Sequence, residues 1–426
     1  MTSDELFSAL SAIVGTENVH NWTQDDTDRV GVENWPTAPV IIVAPGIPEE
    51  AADVVRLAES LNTGIVPAGA LNQLYTGYAP NRPTLVLSSR RLNRILDHQP
   101  DDLTVTCESG VTLSQVSAAL ASSRQTLAMD GPLPETSTLG GLVAAATAGL
   151  RRSAYGAPRD TVIGLKAVIT GGNSVKGGGK VVKNVAGYDV CKLFTGCYGA
   201  LGFLTEITFR VRPIPETTRT VSWALRDTAL AARAALAVHH SGIRPVVSAN
   251  LVEPDRSELV LSFEGSEKRT AWQIEEVSSF LRKFGVDDSL QELGSEAITA
   301  LHDRIAIDAA RSSIAIRVSV LPTDLPELVI AISKLSINSV VSDASTGTLS
   351  AAFAAASISD QLDIRRNIEA VLPQESYSIW TKTGTLSDEA CPKSAMGEDA
   401  GGRSLRRSLQ QSIDPSSTFS PGRSGL

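Results

Sequence analysis

Residues 40–73 read VIIVAPGIPEEAADVVRLAESLNTGIVPAGALNQ and hold the pattern that decides the fold of the first half of the chain. The apolar run at its start ends at Pro45-Gly46, as a strand followed by a turn does. Pro48 then suits a first helical position, and apolar residues recur at helical spacing up to Gly64. A second apolar run leads directly into the small-residue loop 67–73. This order predicts a strand–helix–strand unit of an α/β domain.

Glycine concentrates in four segments before Pro215, at residues 67–77, 131–149, 177–187 and 196–202. Glycine lets the backbone approach a ligand closely and turn its N–H groups toward an anion. Each segment alone has a turn as its alternative explanation. Four in one domain favour a large diphosphate ligand such as a dinucleotide. Neither a P-loop nor a Rossmann motif fits, because Val181 replaces the hydroxyl residue and the GxGxxG spacing is absent.

The composition narrows the classes of function. The 426 residues suggest two or three domains, and 38 basic against 47 acidic side chains give a net charge of −9, which disfavours nucleic-acid binding. The four cysteines lack the spacing of a disulfide framework, a zinc site or an iron–sulfur site. No HExxH motif or other metal site is visible, so no metal is expected. Neither a basic secretory leader nor a long apolar run occurs, which predicts a cytoplasmic protein without a transmembrane segment.

The second half of the chain differs from the first in glycine content and in the pattern of its predicted elements. After Pro215 glycine thins, and strands alternate with longer helices, which predicts a second α+β domain. Residues 384–402 form a polar linker in this interpretation, and 403–426 return to the first domain. The predicted domains are therefore 1–215, with a core at about 36–215, and 216–383. No internal repeat is visible in the sequence.

Four stretches carry a resemblance to a known family: STLGG at 137–141, YGAPRD at 155–160, GGGKVVKNVAGYD at 177–189 and GCYGALGFLTEITFRVRP at 196–213. The chain resembles the vanillyl-alcohol-oxidase flavoproteins with a PCMH-type FAD-binding domain, and among them the FAD-binding companion subunit of bacterial glycolate oxidase. The KNVAGYD stretch is its most specific element. The ending IDPSSTFSPGR, residues 413–423, looks like the "DP…PGR" close of the same proteins.

The resemblance implies an α+β fold in which a PCMH-type FAD-binding domain of two subdomains precedes an α/β-sandwich, ferredoxin-like cap. It also implies three groups of FAD-binding positions. These positions are Pro67, Gly69, Ala70, Asn72 and Gln73; Pro132, Ser137, Thr138, Gly140, Gly141, Ala145 and Gly149; and Gly199, Gly202 and Leu204. The family prefers glycine where this chain has Leu71. No histidine lies between Pro67 and Gly77 to tether the flavin, so FAD should bind non-covalently.

Catalytic residues are harder to nominate. The histidine-rich stretches of relatives that oxidise D-2-hydroxy acids are absent from the cap, which offers His239, His240 and His302 with the possible carboxylate binders Arg244, Arg304 and Arg311. Lys183 and Asn184 are candidates, since an ammonium and an amide could face the flavin or a carboxylate. Equally, Lys183 fits a surface residue and Asn184 a helix cap before residues 185–194. The catalytic residues stay unknown.

The function implied by the resemblance is that of an FAD-binding subunit of a glycolate oxidase or dehydrogenase complex. It would oxidise glycolate, or another small D-2-hydroxy acid, to the 2-oxo acid. Its expected partners are a second FAD subunit and an iron–sulfur subunit that receives the electrons, with the complex at the inner face of the membrane as one option. A stand-alone FAD-dependent hydroxy-acid or alcohol oxidase and a non-catalytic electron-relay subunit are the alternatives.

Overall fold

The computed structural model describes residues 2–30, 41–77, 79–180, 188–286, 290–312, 314–355, 357–372, 377–380 and 400–423. The chain divides into two compact units. Unit 1 consists of residues 1–148, 156–213 and 398–426, and unit 2 of 149–155 and 214–397. The short stretch 149–155 thus belongs to unit 2, although it lies within the range 1–215 predicted for the first domain.

Up to residue 213 the elements alternate between short helices and strands. In chain order they are α1 (Ser3–Val14), β1 (Val19–Asn21), α2 (Gln24–Val30), β2 (Ile41–Val43), α3 (Pro48–Ser60), β3 (Gly64–Ala68), β4 (Thr84–Ser88), β5 (Ile95–Gln99), β6 (Thr104–Glu108), α4 (Leu113–Ala121), β7 (Gln125–Leu127), α5 (Leu139–Ala144), α6 (Arg152–Tyr155), α7 (Pro158–Thr161), β8 (Val162–Ile169), β9 (Asn173–Gly178), α8 (Val190–Phe194) and β10 (Phe203–Pro213).

The first sheet of unit 1 is small and mostly parallel. Its strand order is β1-β2-β4-β3, with β2, β4 and β3 parallel and β1 antiparallel to β2. Helix α3 connects β2 to β3, begins with Pro48 and buries one face through Ala51, Val54, Val55 and Ala58. The strand–helix–strand unit predicted from residues 40–73 is confirmed.

The second sheet of unit 1 is antiparallel, in the order β5-β6-β10-β8-β9, and β7 pairs with the far end of β10. Its core includes Leu120 of α4, Leu142 of α5 and Phe209 of β10. Strands β8 and β9 form a hairpin, which turns at Gly171 and Gly172 with φ of 71° and 67°. The mixed α/β character expected for this half is confirmed.

Unit 2 adds β11 (Thr217–Leu225), α9 (Thr228–His240), β12 (Val247–Glu253), β13 (Arg256–Gly265), α10 (Glu267–Lys283), β14 (Leu290–Leu293), α11 (Ala297–Arg311), β15 (Ile314–Ser319), α12 (Leu325–Ile332), β16 (Ile337–Asp343), β17 (Thr348–Phe353), α13 (Ile358–Val371) and β18 (Tyr377–Trp380). Helix α14 (Ala400–Ile413) then continues the chain in unit 1.

Unit 2 contains a structural duplication that the sequence does not reveal. Its eight-stranded sheet has the order β14-β11-β13-β12-β16-β17-β15-β18, and the pairings are antiparallel. When β11–β14 are numbered 1 to 4, their order across the sheet is 4-1-3-2. When β15–β18 are numbered in the same way, their order is 2-3-1-4, which is the same order read from the other edge of the sheet. Each half is therefore a β-α-β-β-α-β unit, joined to the other through β12 and β16. No repeat is visible in the sequence, and the repeat exists at the level of topology.

Candidate functional site

Three of the glycine-rich loops predicted from the sequence meet in unit 1. We call them the first loop (67–77), the second loop (131–148) and the third loop (196–204). Gly69 of the first loop lies against Thr138 of the second, and a Cβ at position 69 would overlap Thr138 Oγ1. Gly199 of the third loop has φ of 71°, and a Cβ there would come within 3.0 Å of Pro67. Glycine is thus required where the loops touch.

Side-chain hydrogen bonds hold the first and second loops together. The Asn72 amide donates to Thr136 Oγ1 at 2.9 Å and to Ser137 Oγ at 3.3 Å. Gln73 Nε2 donates to Thr147 Oγ1 at 2.8 Å, so both ends of the second loop contact the first. Sequence reasoning nominated Asn72, Gln73 and Ser137 but missed both threonines. Their only signal was a hydroxyl residue beside a glycine-rich run.

Helix α5 starts inside the second loop. Thr138 is its N-cap and accepts a hydrogen bond from Gly141 N at 3.2 Å. Gly140 N donates to Ser109 O at 2.7 Å, and a Cβ on Gly140 would lie 2.7 Å from Ser109 Cβ. Gly140 therefore faces protein. Within the described residues a Cβ on Gly141 would have only Thr138 Oγ1, at 3.1 Å, within 4 Å. The side of Gly141 on which a Cβ would stand is therefore open to a ligand.

The remaining predicted positions surround this start of α5. Ser137 Oγ donates to Pro132 O at 2.6 Å. Ser109, which the sequence analysis did not nominate, donates through Oγ to Leu204 O at 2.6 Å. Ala145 is buried one residue past α5, and Ala70 lies in the first loop. Gly202 has φ of 153°, and a Cβ there would lie 2.6 Å from Val168 O. Gly149, also nominated, belongs to unit 2.

Backbone strain concentrates at these loops. Among the described residues outside glycine, Leu71, Leu133, Ala146 and Tyr198 have φ of 69°, 49°, 47° and 50°. In residues other than glycine, this left-handed conformation costs free energy because Cβ crowds the backbone. It persists where the surrounding structure enforces it. Leu71 stands where the family prefers glycine, and it adopts the conformation that glycine favours, with its side chain 2% exposed. Although Leu71 replaces the glycine that the family prefers, the loop backbone keeps the left-handed conformation at this position.

Unit 2 has one buried ionic cluster beside the stretch 149–155. The Glu264 side chain is 7% exposed and accepts Arg151 Nε at 3.0 Å, and the Tyr155 hydroxyl also donates to it. Leu150 N donates to His302 Nε2 at 3.2 Å. These bonds fix the stretch 149–155 within unit 2. His302 is thus the one nominated cap histidine whose ring anchors this stretch.

The other cap residues nominated as carboxylate binders have different surroundings. Arg304 binds Glu253 at 2.7 Å and Asp308 at 2.6 Å, and the hydrogen bond to Asp308 raises the pKa of its guanidinium. Burial lowers the pKa of His239, which lies beside His240 at the end of α9. Arg244 donates to the carbonyl oxygens of His239 and Ile243. Arg244 thus lies beside His239 and His240, whereas Arg304 is paired with two carboxylates.

Lys183 and Asn184 lie outside the described residues, so their proposed roles stay predictions. Helix α8 is capped by Asp189, whose carboxylate accepts Lys192 N at 3.1 Å. The hydrogen bonds from Lys192 lower the pKa of Asp189. No group of three metal-ligating side chains occurs among the described residues. In the same part of the chain, no helix has both the length and the apolar character needed to cross a membrane.

Several known proteins resemble this chain in sequence. Residues 39–178 match the FAD binding domain family. Glycolate oxidase subunit GlcD of Bacillus subtilis is 35% identical over 183 residues, which cover 43% of this chain and 39% of that protein. Glycolate oxidase subunit GlcE of Escherichia coli is 38% identical over 163 residues, covering 38% and 46%. The chain thus spans less than half the length of these curated relatives.

Solved structures show the same fold over nearly the whole chain. p-Cresol methylhydroxylase matches with a TM-score of 0.75 and 13% identity, covering 99% of this chain and 96% of that one. Alkyldihydroxyacetonephosphate synthase matches with a TM-score of 0.69 and 16% identity, covering 99% and 85%. Residues 39–178 thus match an FAD binding domain, and the fold of the chain is similar to that of p-cresol methylhydroxylase.

Proposed function

We propose that this chain is the FAD-binding subunit of a complex that oxidises glycolate, or another small D-2-hydroxy acid, to the 2-oxo acid. The observation that carries the proposal is the convergence of the three loops around α5 in a chain whose flavin half resembles two glycolate oxidase subunits. D-2-Hydroxyglutarate dehydrogenase of Xanthomonas citri, 34% identical over 197 residues, supports the same substrate class.

The loops suit an FAD molecule in shape and chemistry. Gly141 has open space where a Cβ would stand at the start of α5, Gly69 brings the first loop against Thr138, and Gly199 brings the third loop against Pro67. We assign the diphosphate to the first and second loops and the flavin end to the third. Bound FAD would supply the acceptor for a hydride from the substrate carbon. The chain's own task is to hold the cofactor without a covalent bond, orient the hydroxy acid and exclude water.

The partners and the cap follow from the same comparison. Both GlcD and GlcE are named as subunits, which supports an assembly containing a second FAD subunit, and we propose that an iron–sulfur protein receives the electrons. Both halves of the unit 2 sheet have the 4-1-3-2 strand order of ferredoxin-like units, which supports a cap of that type. We propose that domain 216–383 is this cap and that the complex works in the cytoplasm, at the inner face of the membrane.

The test is a visible absorption spectrum, recorded anaerobically before and after adding glycolate. It should be run on the chain alone and on the assembly purified gently from its own cells. We expect flavin bands in both samples and bleaching in the assembly, with acetate as the control that lacks the hydroxyl group. Bleaching of the isolated chain would assign catalysis to this chain alone. Flavin bands that persist in both samples with glycolate, D-lactate and D-2-hydroxyglutarate would refute hydroxy-acid oxidation.

A further inference from the structure

Residues 414–423, which carry the "DP…PGR" motif, form a compact segment in unit 1 that we call the clasp. Asp414 is fully buried, and its carboxylate accepts Thr418 N at 2.9 Å and Phe419 N at 2.7 Å. Since both oxygens are used locally, Asp414 fixes the turn at the start of the clasp. Burial raises the pKa of Asp414, and these backbone hydrogen bonds oppose the rise.

The middle of the clasp lies along the edge of the first sheet. Strand β3 is the last strand of that sheet, and Ile65 in it exchanges hydrogen bonds of 2.7 Å with Thr418 O and Ser420 N. Phe419 between them is fully buried in the core of the first sheet. The clasp therefore covers the free edge of the strand that leads into the first loop.

The end of the clasp reaches the first loop itself. Arg423 is only 8% exposed, and its Nη2 donates to Leu74 O at 2.9 Å and to Thr76 O at 2.7 Å. Gly77 has φ of 89°, and a Cβ on it would come within 2.6 Å of Arg423 O. The buried Arg423 guanidinium thus binds two carbonyl groups of the first loop, those of Leu74 and Thr76. The same loop has to present N–H groups to an anionic ligand.

This contact has a directional consequence. A peptide unit points its C=O and its N–H in opposite directions, so fixing two carbonyl oxygens on a cation also fixes the direction of the linked N–H groups. Burial alone lowers the pKa of Arg423 to about 10, which leaves it protonated at neutral pH. A buried positive charge is costly, and a nearby anion lowers that cost.

We propose that Arg423 is a positioning residue for FAD: it sets the backbone of the first loop for the cofactor diphosphate and adds a buried positive charge behind that loop. Nothing in the sequence analysis assigned a role to this arginine. The proposal needs FAD to bind in unit 1 and is independent of which substrate is oxidised.

The experiment compares two arginines that connect the clasp to other parts of unit 1. Arg423 lies at the end of the clasp and binds the first loop, and Arg82 lies outside the clasp and binds its start. Arg82 also binds two carbonyl groups, Ser416 O at 3.2 Å and Ser417 O at 2.6 Å, but contacts the clasp away from the first loop. Arg423→Met and Arg82→Met are reconstituted from apoprotein, and the FAD dissociation constant is measured by flavin fluorescence. The melting temperature of each apoprotein is measured separately by circular dichroism.

We expect Arg423→Met to weaken FAD binding by about 10- to 100-fold, the loss typical of a hydrogen bond to a charged group. Arg82→Met should lower the melting temperature comparably while changing the dissociation constant less than about threefold. Should Arg423→Met fail to fold, Arg423→Lys replaces it, and an affinity loss of about three- to tenfold relative to Arg82→Lys is expected. FAD affinities of the Arg423 and Arg82 variants that agree within twofold would overturn the proposal.

Discussion

Leu71 offers a sharp test of the first loop because a buried side chain and a strained backbone oppose each other there. Its side chain is 2% exposed and its φ is 69°. Removing a buried leucine side chain costs about 2–5 kcal/mol. The left-handed conformation costs a residue other than glycine about 1–2 kcal/mol, which Leu71→Gly recovers and Leu71→Ala does not. Against this gain, glycine loses more conformational entropy on folding than alanine does, which lowers the stability of the glycine variant by about 0.5–1 kcal/mol.

We therefore expect Leu71→Gly to be more stable than Leu71→Ala by about 1 kcal/mol, although both are less stable than the wild type. Leu142 is the control, since it is 1% exposed in the middle of α5. There the order should reverse, with Leu142→Gly about 1 kcal/mol less stable than Leu142→Ala. Urea unfolding of the four apoproteins, followed by circular dichroism, measures both differences. The same order of glycine and alanine at both sites would refute strain at Leu71.

Three further predictions concern other contacts. Gly69→Ala places a Cβ against Thr138 Oγ1, the cap of α5, and should weaken FAD binding at least about tenfold in a fluorescence titration. Burial raises the pKa of Asp343 from 3.8 to about 6, so the fold loses stability as the pH rises from about 4 to about 6, and the loss is complete above that pH. Asp343→Asn should gain about 3 kcal/mol relative to wild type between pH 4 and pH 8, measured by urea unfolding. Glu264→Gln removes the ion pair with Arg151 and should lower the stability of unit 2 by about 2–3 kcal/mol in thermal unfolding.

The Gly69 and Glu264 predictions each have a matched control. Gly46→Ala meets only the Arg91 guanidinium, which can move, so FAD binding should be unchanged. Glu292 pairs with Arg219 as Glu264 does with Arg151, but its side chain is 54% exposed. Glu292→Gln should cost less than about 1 kcal/mol. An equal loss in the two glutamate variants, an unchanged FAD affinity in Gly69→Ala, or a pH-independent effect of Asp343→Asn would contradict the respective reasoning.

The sequence was informative where local chemistry decides the structure. Pro48 and the apolar spacing after it predict α3, which the structure has over Pro48–Ser60. Helix α11 was missed, although Ile298, Leu301, His302 and Ala306 lie on one face at helical spacing. Its apolar positions are interrupted by charged residues, so the pattern did not stand out.

Features that depend on distant pairing could not be predicted from the sequence. The duplication in unit 2 is a property of strand order, which many unrelated sequences can encode, so its halves show no repeat in their residues. Arginine is usually exposed, and nothing near Arg423 signals that its guanidinium would be buried under residues some 350 positions earlier. The glycine-rich segments are visible in the sequence, but the hydrogen bonds between Ser109 and Leu204 and between Thr147 and Gln73 depend on the tertiary structure.

The discontinuity of unit 1 has a consequence for how the protein is made on the ribosome. The clasp follows the whole of 214–397, so β3 and the first loop leave the ribosome long before their covering segment exists. At about 5–20 residues per second, the chain between the first loop and the clasp takes roughly 17 to 70 seconds to synthesise. During that interval the nascent chain exposes a bare strand edge, the kind of surface that invites wrong pairing. The fold of unit 1 is therefore completed only after unit 2 has been synthesised.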